Sequence, residues 1–380
     1  MKHLNLLIKP ASSLCNMRCR YCFYFDLSAQ REIPSYGIMS RETTDKIISN
    51  IFKDIVGKDR ITFGFQGGEP TLAGLPWFRY FVENVASRKK SITVNYSFQT
   101  NGLLLNDAWC EFFRENNFLV GLSIDAGKSF HDRNRFSFGD KGASNGSFDA
   151  CMKSKALLDK NRVEYNILCV LTNDMAKDPD RVWRFIMNEN IRFIQFIPCL
   201  EPPDSHPAAK ESAGNTLRPA FFAKFYSRLL TWWIKELEKE NYISVKLFDD
   251  AANYFFKGIP TACGIDGRCH NQYVIEADGS AYPCDFYCFD EYKIGNLAEN
   301  TIAELSAPEK IQKFILEKPQ LPKICDSCRF LRACQGGCKR MRNVMYAGAG
   351  EVVCGFRSFL EKSLEPLEIA VRRALSKQRK

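Results

Sequence analysis

The chain predicts an α/β fold: a partial (β/α)6 TIM-type barrel followed by a cysteine-rich C-terminal domain. Three observations carry that expectation. Six short runs of β-branched and apolar residues alternate with segments of helical length through the first half of the chain. Chemistry-bearing residues directly follow the first two runs, as on the C-terminal rim of such barrels. From Cys263 onward cysteines become dense and regular periodicity fades until a last helix.

The six runs, read as strands, are residues 4–8, 61–65, 94–98, 119–124, 165–171 and 193–197. Several are almost continuously apolar, as in parallel strands covered on both faces. Helices are expected over 41–56, 77–87, 107–116, 148–158 and 181–188, with Ser40, Asn106 and Ser147 at N-cap positions. The stretch 202–216, rich in Pro, Ser and Ala, reads as an exposed loop; a long helix over 221–239 follows, and a final helix covers 357–375. The expected division is a barrel with its linking helix over 1–240, a small metal-stapled domain over 241–360, and a helix end with a basic tail over 361–380.

Composition narrows the class. Of the 380 residues, 45% are apolar, enough for a sizeable core, and no apolar run approaches membrane-spanning length. The apolar stretch before Lys9 is too short for an export signal and reads as the first strand. Sixteen cysteines in that context argue for metal ligation in a reducing cytoplasm rather than for disulfides. The formal charge is +9, and five basic side chains in the tail from Arg372 to Lys380 account for much of it. No interleaved basic–aromatic pattern is visible, so neither a nucleic-acid nor a membrane partner is expected.

Cys15, Cys19 and Cys22 stand in C-x3-C-x2-C spacing directly after the first strand. Three thiolates make an incomplete site, because iron–sulfur cubes are usually held by four. The run closely resembles that of the radical S-adenosylmethionine enzymes. The resemblance implies a 4Fe–4S cluster whose open iron holds the methionine part of S-adenosylmethionine, and whose electron releases a 5′-deoxyadenosyl radical. Gln66-Gly67-Gly68-Glu69-Pro70 follows the second strand. Alone it is a tight turn; beside the triad it resembles the segment that receives the methionyl amino group, with Gly68 allowing close backbone approach. The same resemblance places Tyr21 and Leu200 near the adenine, Ser123 on the ribose and Arg135 on the carboxylate. Without it, these would be ordinary packing residues and a surface charge.

The C-terminal cysteines read Cys263-x5-Cys269, Gly279-x4-Cys284, then Cys325-x2-Cys328-x5-Cys334-x3-Cys338-x15-Cys354. Cys325, Cys328, Cys334 and Cys338 alone could form a zinc site. The full pattern resembles the SPASM extension, which implies two auxiliary 4Fe–4S clusters. Carried over, Cys263, Cys269, Cys284 and Cys338 hold the first; Cys325, Cys328, Cys334 and Cys354 hold the second. Cys110, Cys151, Cys169 and Cys199 read as small buried apolar residues, and Cys288 is not expected to ligate.

A closer resemblance lies in Ile8-Lys9-Pro10-Ala11-Ser12-Ser13, in Phe65 to Gly74, in Gln99-Thr100-Asn101-Gly102 and in Tyr282-Pro283-Cys284-Asp285-Phe286-Tyr287. Over residues 4–355 the chain resembles the anaerobic sulfatase-maturating enzymes, departing at Asp125-Ala126-Gly127, where that family typically reads Asp-Gly-Pro. The resemblance implies oxidation of a sulfatase cysteine or serine to Cα-formylglycine, with Asp285 as proton acceptor and auxiliary clusters taking the electron. Asp285 could otherwise be a turn aspartate. Tyr24 and Gln66 are further pocket candidates. The implied partners are a sulfatase polypeptide and a low-potential electron donor such as flavodoxin or ferredoxin. Two other readings are a radical maturase of a ribosomal peptide and a non-catalytic zinc-binding adaptor. A triad starting at Cys15 leaves no room before it for the peptide-recognition module many such maturases carry.

Overall fold

The computed structural model describes residues 3–89, 91–138, 144–201, 213–306, 308–317, 320–347 and 352–377. It has the expected α/β fold with mostly parallel strands, and all six runs form strands: His3–Ile8, Arg60–Phe65, Thr93–Thr100, Phe118–Ser123, Tyr165–Leu171 and Phe193–Pro198. The chain divides into two compact units, and neither is one continuous stretch.

The first unit comprises 1–123, 135–165 and 270–317. Its parallel neighbours run Phe118–Ser123, Thr93–Thr100, Arg60–Phe65, His3–Ile8 and then Val274–Ile275, with Ser280–Tyr282 and Gly295–Asn296 added antiparallel. The last three strands, two or three residues each, are too short to give a periodic signal and were not anticipated. Register fixes the rim. Ile8 lies opposite Phe65 and Ile275, and Phe65 opposite Phe98. The residues that follow (Lys9, Gln66, Gln99 and Glu276) therefore leave the sheet at one level. Phe63, Phe65, Phe78, Phe81 and Phe98 are buried beneath that rim, each stabilising the fold by about 1.5–3 kcal/mol.

Helices Arg41–Asp54 and Asp107–Glu115 begin as read: Ser40 accepts from Thr43 N–H and Asn106 from Trp109 N–H. Ser147 stands at the N-cap position of helix Phe148–Lys160 as expected, but without a side-chain capping bond; its hydroxyl donates to the Arg135 carbonyl at 3.1 Å. Helix Pro308–Leu316 appears where no regular element was expected.

The second unit comprises 124–134, 166–269 and 318–380. Strands Phe193–Pro198 and Ser244–Val245 continue the parallel arrangement from Tyr165–Leu171. Helices Pro219–Glu238 and Gly355–Lys377 pack together through Phe222, Tyr226 and Phe359, joined by Phe248 of the unanticipated helix Lys246–Lys257. Most of the expected 202–216 loop lies outside the described residues; Ala213–Asn215 forms a 3-10 turn. Among the described residues no helix is long and apolar enough to cross a membrane.

Candidate active site

The cysteine triad occupies the loop after strand His3–Ile8. Cys19 ends strand Met17–Cys19, which pairs antiparallel with Arg135–Phe138 so that Cys19 faces Arg135 across the ladder. Cys22 caps helix Phe23–Ser28, its sulfur accepting from Phe25 N–H at 3.4 Å. Cys15 sulfur accepts from Met17 N–H at 3.4 Å and Asn101 Nδ2 at 3.9 Å. Such N–H···S contacts are one lever on cluster potential. Burial pushes the Cys15 thiol up to about 12 and raises that of Cys22, so iron has to displace protons to bind here.

Cys15, Cys19 and Cys22 border one open cleft, walled also by Gly67, Gly68, Ser123 and Arg135. Three soft thiol donors along one cleft fit a three-thiolate cluster with a small organic ligand next to it. Among the described residues no three His, Cys, Asp or Glu side chains converge tightly enough for a single metal ion. Tyr21 lies under the Arg135 guanidinium, 5.4 Å from its ring centroid. Leu200 belongs to the second unit, half-buried just after strand Phe193–Pro198.

The glycines have a more specific role than general flexibility. Gly67 has φ +137°, and a Cβ on Gly68 would overlap the Leu14 carbonyl. Gly68 N–H donates to Ser12 O at 2.8 Å and Glu69 N–H to Leu14 O at 2.7 Å. The segment is thus laced to the cysteine loop itself, leaving carbonyls as its means of meeting a ligand's amino group. Glu69 is buried and accepts from Thr71 Oγ1 at 2.6 Å, Thr100 Oγ1 at 2.8 Å and Asn101 N–H at 2.8 Å. Burial raises its pKa against the pull of those bonds.

Asp285 opens the 3-10 turn Asp285–Tyr287 immediately after Cys284. Its carboxylate accepts from Lys9 Nζ at 2.7 Å on one oxygen and from Gln66 Nε2 on the other. Lys9 is fully buried, and its ammonium sits 3.6 Å above the Tyr24 ring centroid. Burial alone would lower the Lys9 pKa; the carboxylates of Asp285 and Glu276 outweigh that and raise it. The candidates Tyr24 and Gln66 thus meet Asp285 or its partner directly. Lys9 escaped sequence reading because a lysine ending an apolar run resembles a solvated strand end. The register of Ile8 with its neighbours is the signal that reveals it.

In the second unit Cys325, Cys328, Cys334 and Cys354 line one pocket, together with Tyr346 and Phe356. Four thiols around one cavity fit the closed cluster expected of them. Burial pushes the Cys354 thiol up to about 11 and raises Cys325 and Cys334 as well. Gly264, beside Cys263, has φ +71° and leaves no room for a side chain against Cys338. Cys269 is half-buried in the same unit, and Cys284 belongs to the first. Cys110, Cys151, Cys169 and Cys199 are buried as read, and so is Cys288.

Two family models match the chain: the Radical SAM superfamily over residues 10–178, and SPASM, an iron–sulfur cluster-binding domain, over residues 263–329. The chain is 38% identical over 371 residues to a cysteine-type anaerobic sulfatase-maturating enzyme of Clostridium novyi, covering 97% of each. A serine-type anaerobic sulfatase-maturating enzyme of Bacteroides thetaiotaomicron is 32% identical over 354 residues, 90% of this chain and 84% of that one. The solved structure of native anSMEcpe with bound AdoMet and Kp18Cys peptide superposes with a TM-score of 0.84 at 34% identity, covering 97% of this chain and 99% of the other.

Proposed function

Because this chain belongs to the anaerobic sulfatase-maturating enzymes, a family of radical S-adenosylmethionine oxidoreductases, we propose that it oxidises a cysteine or serine of a sulfatase polypeptide to Cα-formylglycine. It is an enzyme that uses S-adenosylmethionine, a 4Fe–4S cluster and auxiliary clusters; the SPASM match favours iron–sulfur over zinc at the C-terminal cysteines. The stronger similarity to the cysteine-type relative favours cysteine as the preferred target.

One observation carries the proposed chemistry. Gln66 and Tyr24 line the cleft that holds the cysteine triad; Gln66 also donates to Asp285, and the Tyr24 ring underlies Lys9. A carboxylate therefore stands one side chain away from the cofactor cleft. When bound, the cofactors supply a 5′-deoxyadenosyl radical and an acceptor for the second electron. Asp285 takes the proton of the substrate thiol or hydroxyl as the Cβ hydrogen is lost. Lys9 and Gln66 each donate to one of its two oxygens and so fix its orientation. Arg135, Ser123, Gly68, Tyr21 and Leu200 are assigned to S-adenosylmethionine, and the triad to its cluster. Cys263, Cys269, Cys284 and Cys338 are assigned to one auxiliary cluster; Cys325, Cys328, Cys334 and Cys354 to the other. A low-potential donor such as flavodoxin or ferredoxin would reduce the enzyme in the cytoplasm, where thiolate-held clusters find reducing surroundings.

The test is mass analysis of sulfatase-derived Cys and Ser peptides after anaerobic incubation with enzyme, S-adenosylmethionine and reductant. A mass change to formylglycine in the Cys peptide is expected. A thioether in its place, or an epimer revealed by uptake of one solvent deuterium in heavy water, would move the reading to the ribosomal-peptide maturases.

A further inference from the structure

None of the roles above uses the buried carboxylate of Glu276. It leaves strand Val274–Ile275 at the level of Lys9, because Ile275 pairs with Ile8. It is fully buried, and three donors converge on it. The Tyr24 hydroxyl and Arg31 Nη1, the latter at 2.8 Å, donate to Oε1; the Ser12 hydroxyl donates to Oε2 at 2.9 Å. Arg31 Nη2 donates to the Tyr24 oxygen at 2.9 Å, closing a ring of three side chains.

Two arms run outward from this carboxylate. Through Tyr24 it reaches the base site, since the phenol that donates to Glu276 is the one whose ring lies under Lys9. A hydrogen bond from the hydroxyl to an anion makes the ring richer in electrons and fixes its plane, both of which favour the cation above it. Through Ser12 it reaches the cofactor cleft. Ser12 adopts φ +48°, a conformation that L residues rarely hold without support. Its N–H donates to Lys9 O, its carbonyl accepts from Gly68 N–H, and its hydroxyl accepts from Tyr36 N–H while donating to Glu276. Lys9 and Arg31 on one side, Asp285 and Glu276 on the other, make the buried group neutral; the remaining polar neighbours are Tyr36, Tyr282 and the Cys288 thiol.

We propose that Glu276 is a positioning residue that ties the Asp285–Lys9 base site to the Gly67–Gly68 edge of the cofactor cleft, through Tyr24 on one arm and Ser12 on the other. It sets how faithfully cleavage of the cofactor is followed by oxidation of the substrate. This inference rests on the reading of Asp285 as the base.

The test uses full-length, anaerobically reconstituted enzyme and a Cys peptide derived from a sulfatase. Formylglycine formed per 5′-deoxyadenosine released is measured with kcat, peptide KM and iron content. In Glu276→Gln the ratio and kcat are expected to fall about tenfold, the scale of a lost supporting partner, with peptide KM within about twofold. The charge-balanced Glu276→Gln/Arg31→Gln variant removes one buried cation with the anion, so it should recover thermal stability but not the ratio. A wild-type ratio in Glu276→Gln, or full recovery in the double variant, overturns the proposal and leaves Glu276 a charge-balancing residue. If Glu276→Gln does not take up iron, Tyr24→Phe decides: it keeps the ring and severs the link, and a wild-type ratio there likewise overturns the proposal. Asp285→Asn separates the two readings. Normal turnover in that variant removes the base assignment, whereas loss of turnover there with a wild-type ratio in the Glu276 variants removes the tie alone.

Discussion

The two thiol-lined regions are held in opposite ways. The Cys15–Cys22 loop is laced by main-chain hydrogen bonds to residues 68 and 69 and paired with strand Arg135–Phe138, so its shape is set by peptide groups that need no metal. The Cys325–Cys354 pocket is built from the turn Lys323–Cys325, the single helical turn Leu331–Cys334, three consecutive residues of positive φ, Gln335, Gly336 and Gly337, and the first turn of helix Gly355–Lys377. No strand supports it among the described residues of 320–377. The contrast teaches that the loop proposed to hold the reactive cluster rests on a main-chain scaffold, while the pocket proposed to hold a closed cluster is mostly short turns and is expected to draw more of its shape from its ligands.

Breaking that contrast gives the largest expected effects. Cys19→Ala should reduce 5′-deoxyadenosine formation to background while leaving the thermal midpoint nearly unchanged, as chromatography and calorimetry would report. Asp285→Asn should keep cluster absorption and lower formylglycine yield by about a hundredfold or more, the scale of a lost general base. Iron chelation should erase hydrogen-exchange protection around residues 320–347 and spare strands His3–Ile8 and Arg60–Phe65; equal loss in both regions would erase the distinction. A smaller effect concerns Lys9. Its pKa is raised in the folded protein, so the stability it contributes is complete below its unfolded value of about 10.4 and fades as pH climbs through the raised one. The gap in urea midpoint between wild type and Lys9→Met should therefore narrow above that pH. The smallest effect is expected at Ser40→Ala, about 1 kcal/mol from the loss of a helix cap.

Much of the first unit was legible because long parallel strands and amphipathic helices announce themselves through local periodicity. Its four strands from His3–Ile8 to Phe118–Ser123 and the caps Ser40 and Asn106 show in local sequence. The cysteine sets came from family resemblance, since spacing alone left zinc open at four of them. What stayed hidden was decided by distant partners. Lys9, Glu276 and Arg31 form one buried group only because Ile275 pairs beside Ile8, and two-residue strands leave no pattern to read. Ser147 stands at its N-cap position, but its hydroxyl donates to the Arg135 carbonyl instead. Gly68 was legible as a glycine that had to be one; that its neighbour would be Leu14 was not.

The pairing of the first strand with residues 274 and 275 also governs how the molecule comes into being. At ribosomal speed, synthesis takes about ten to fifty seconds to run from one to the other. Throughout that interval Lys9 has neither carboxylate, Ser12 lacks its Glu276 partner, and the proposed base, Asp285, has not been made. The proposed base site therefore cannot assemble before residue 285 has been made, and a chain cut short of it would carry the three leading cysteines without Asp285.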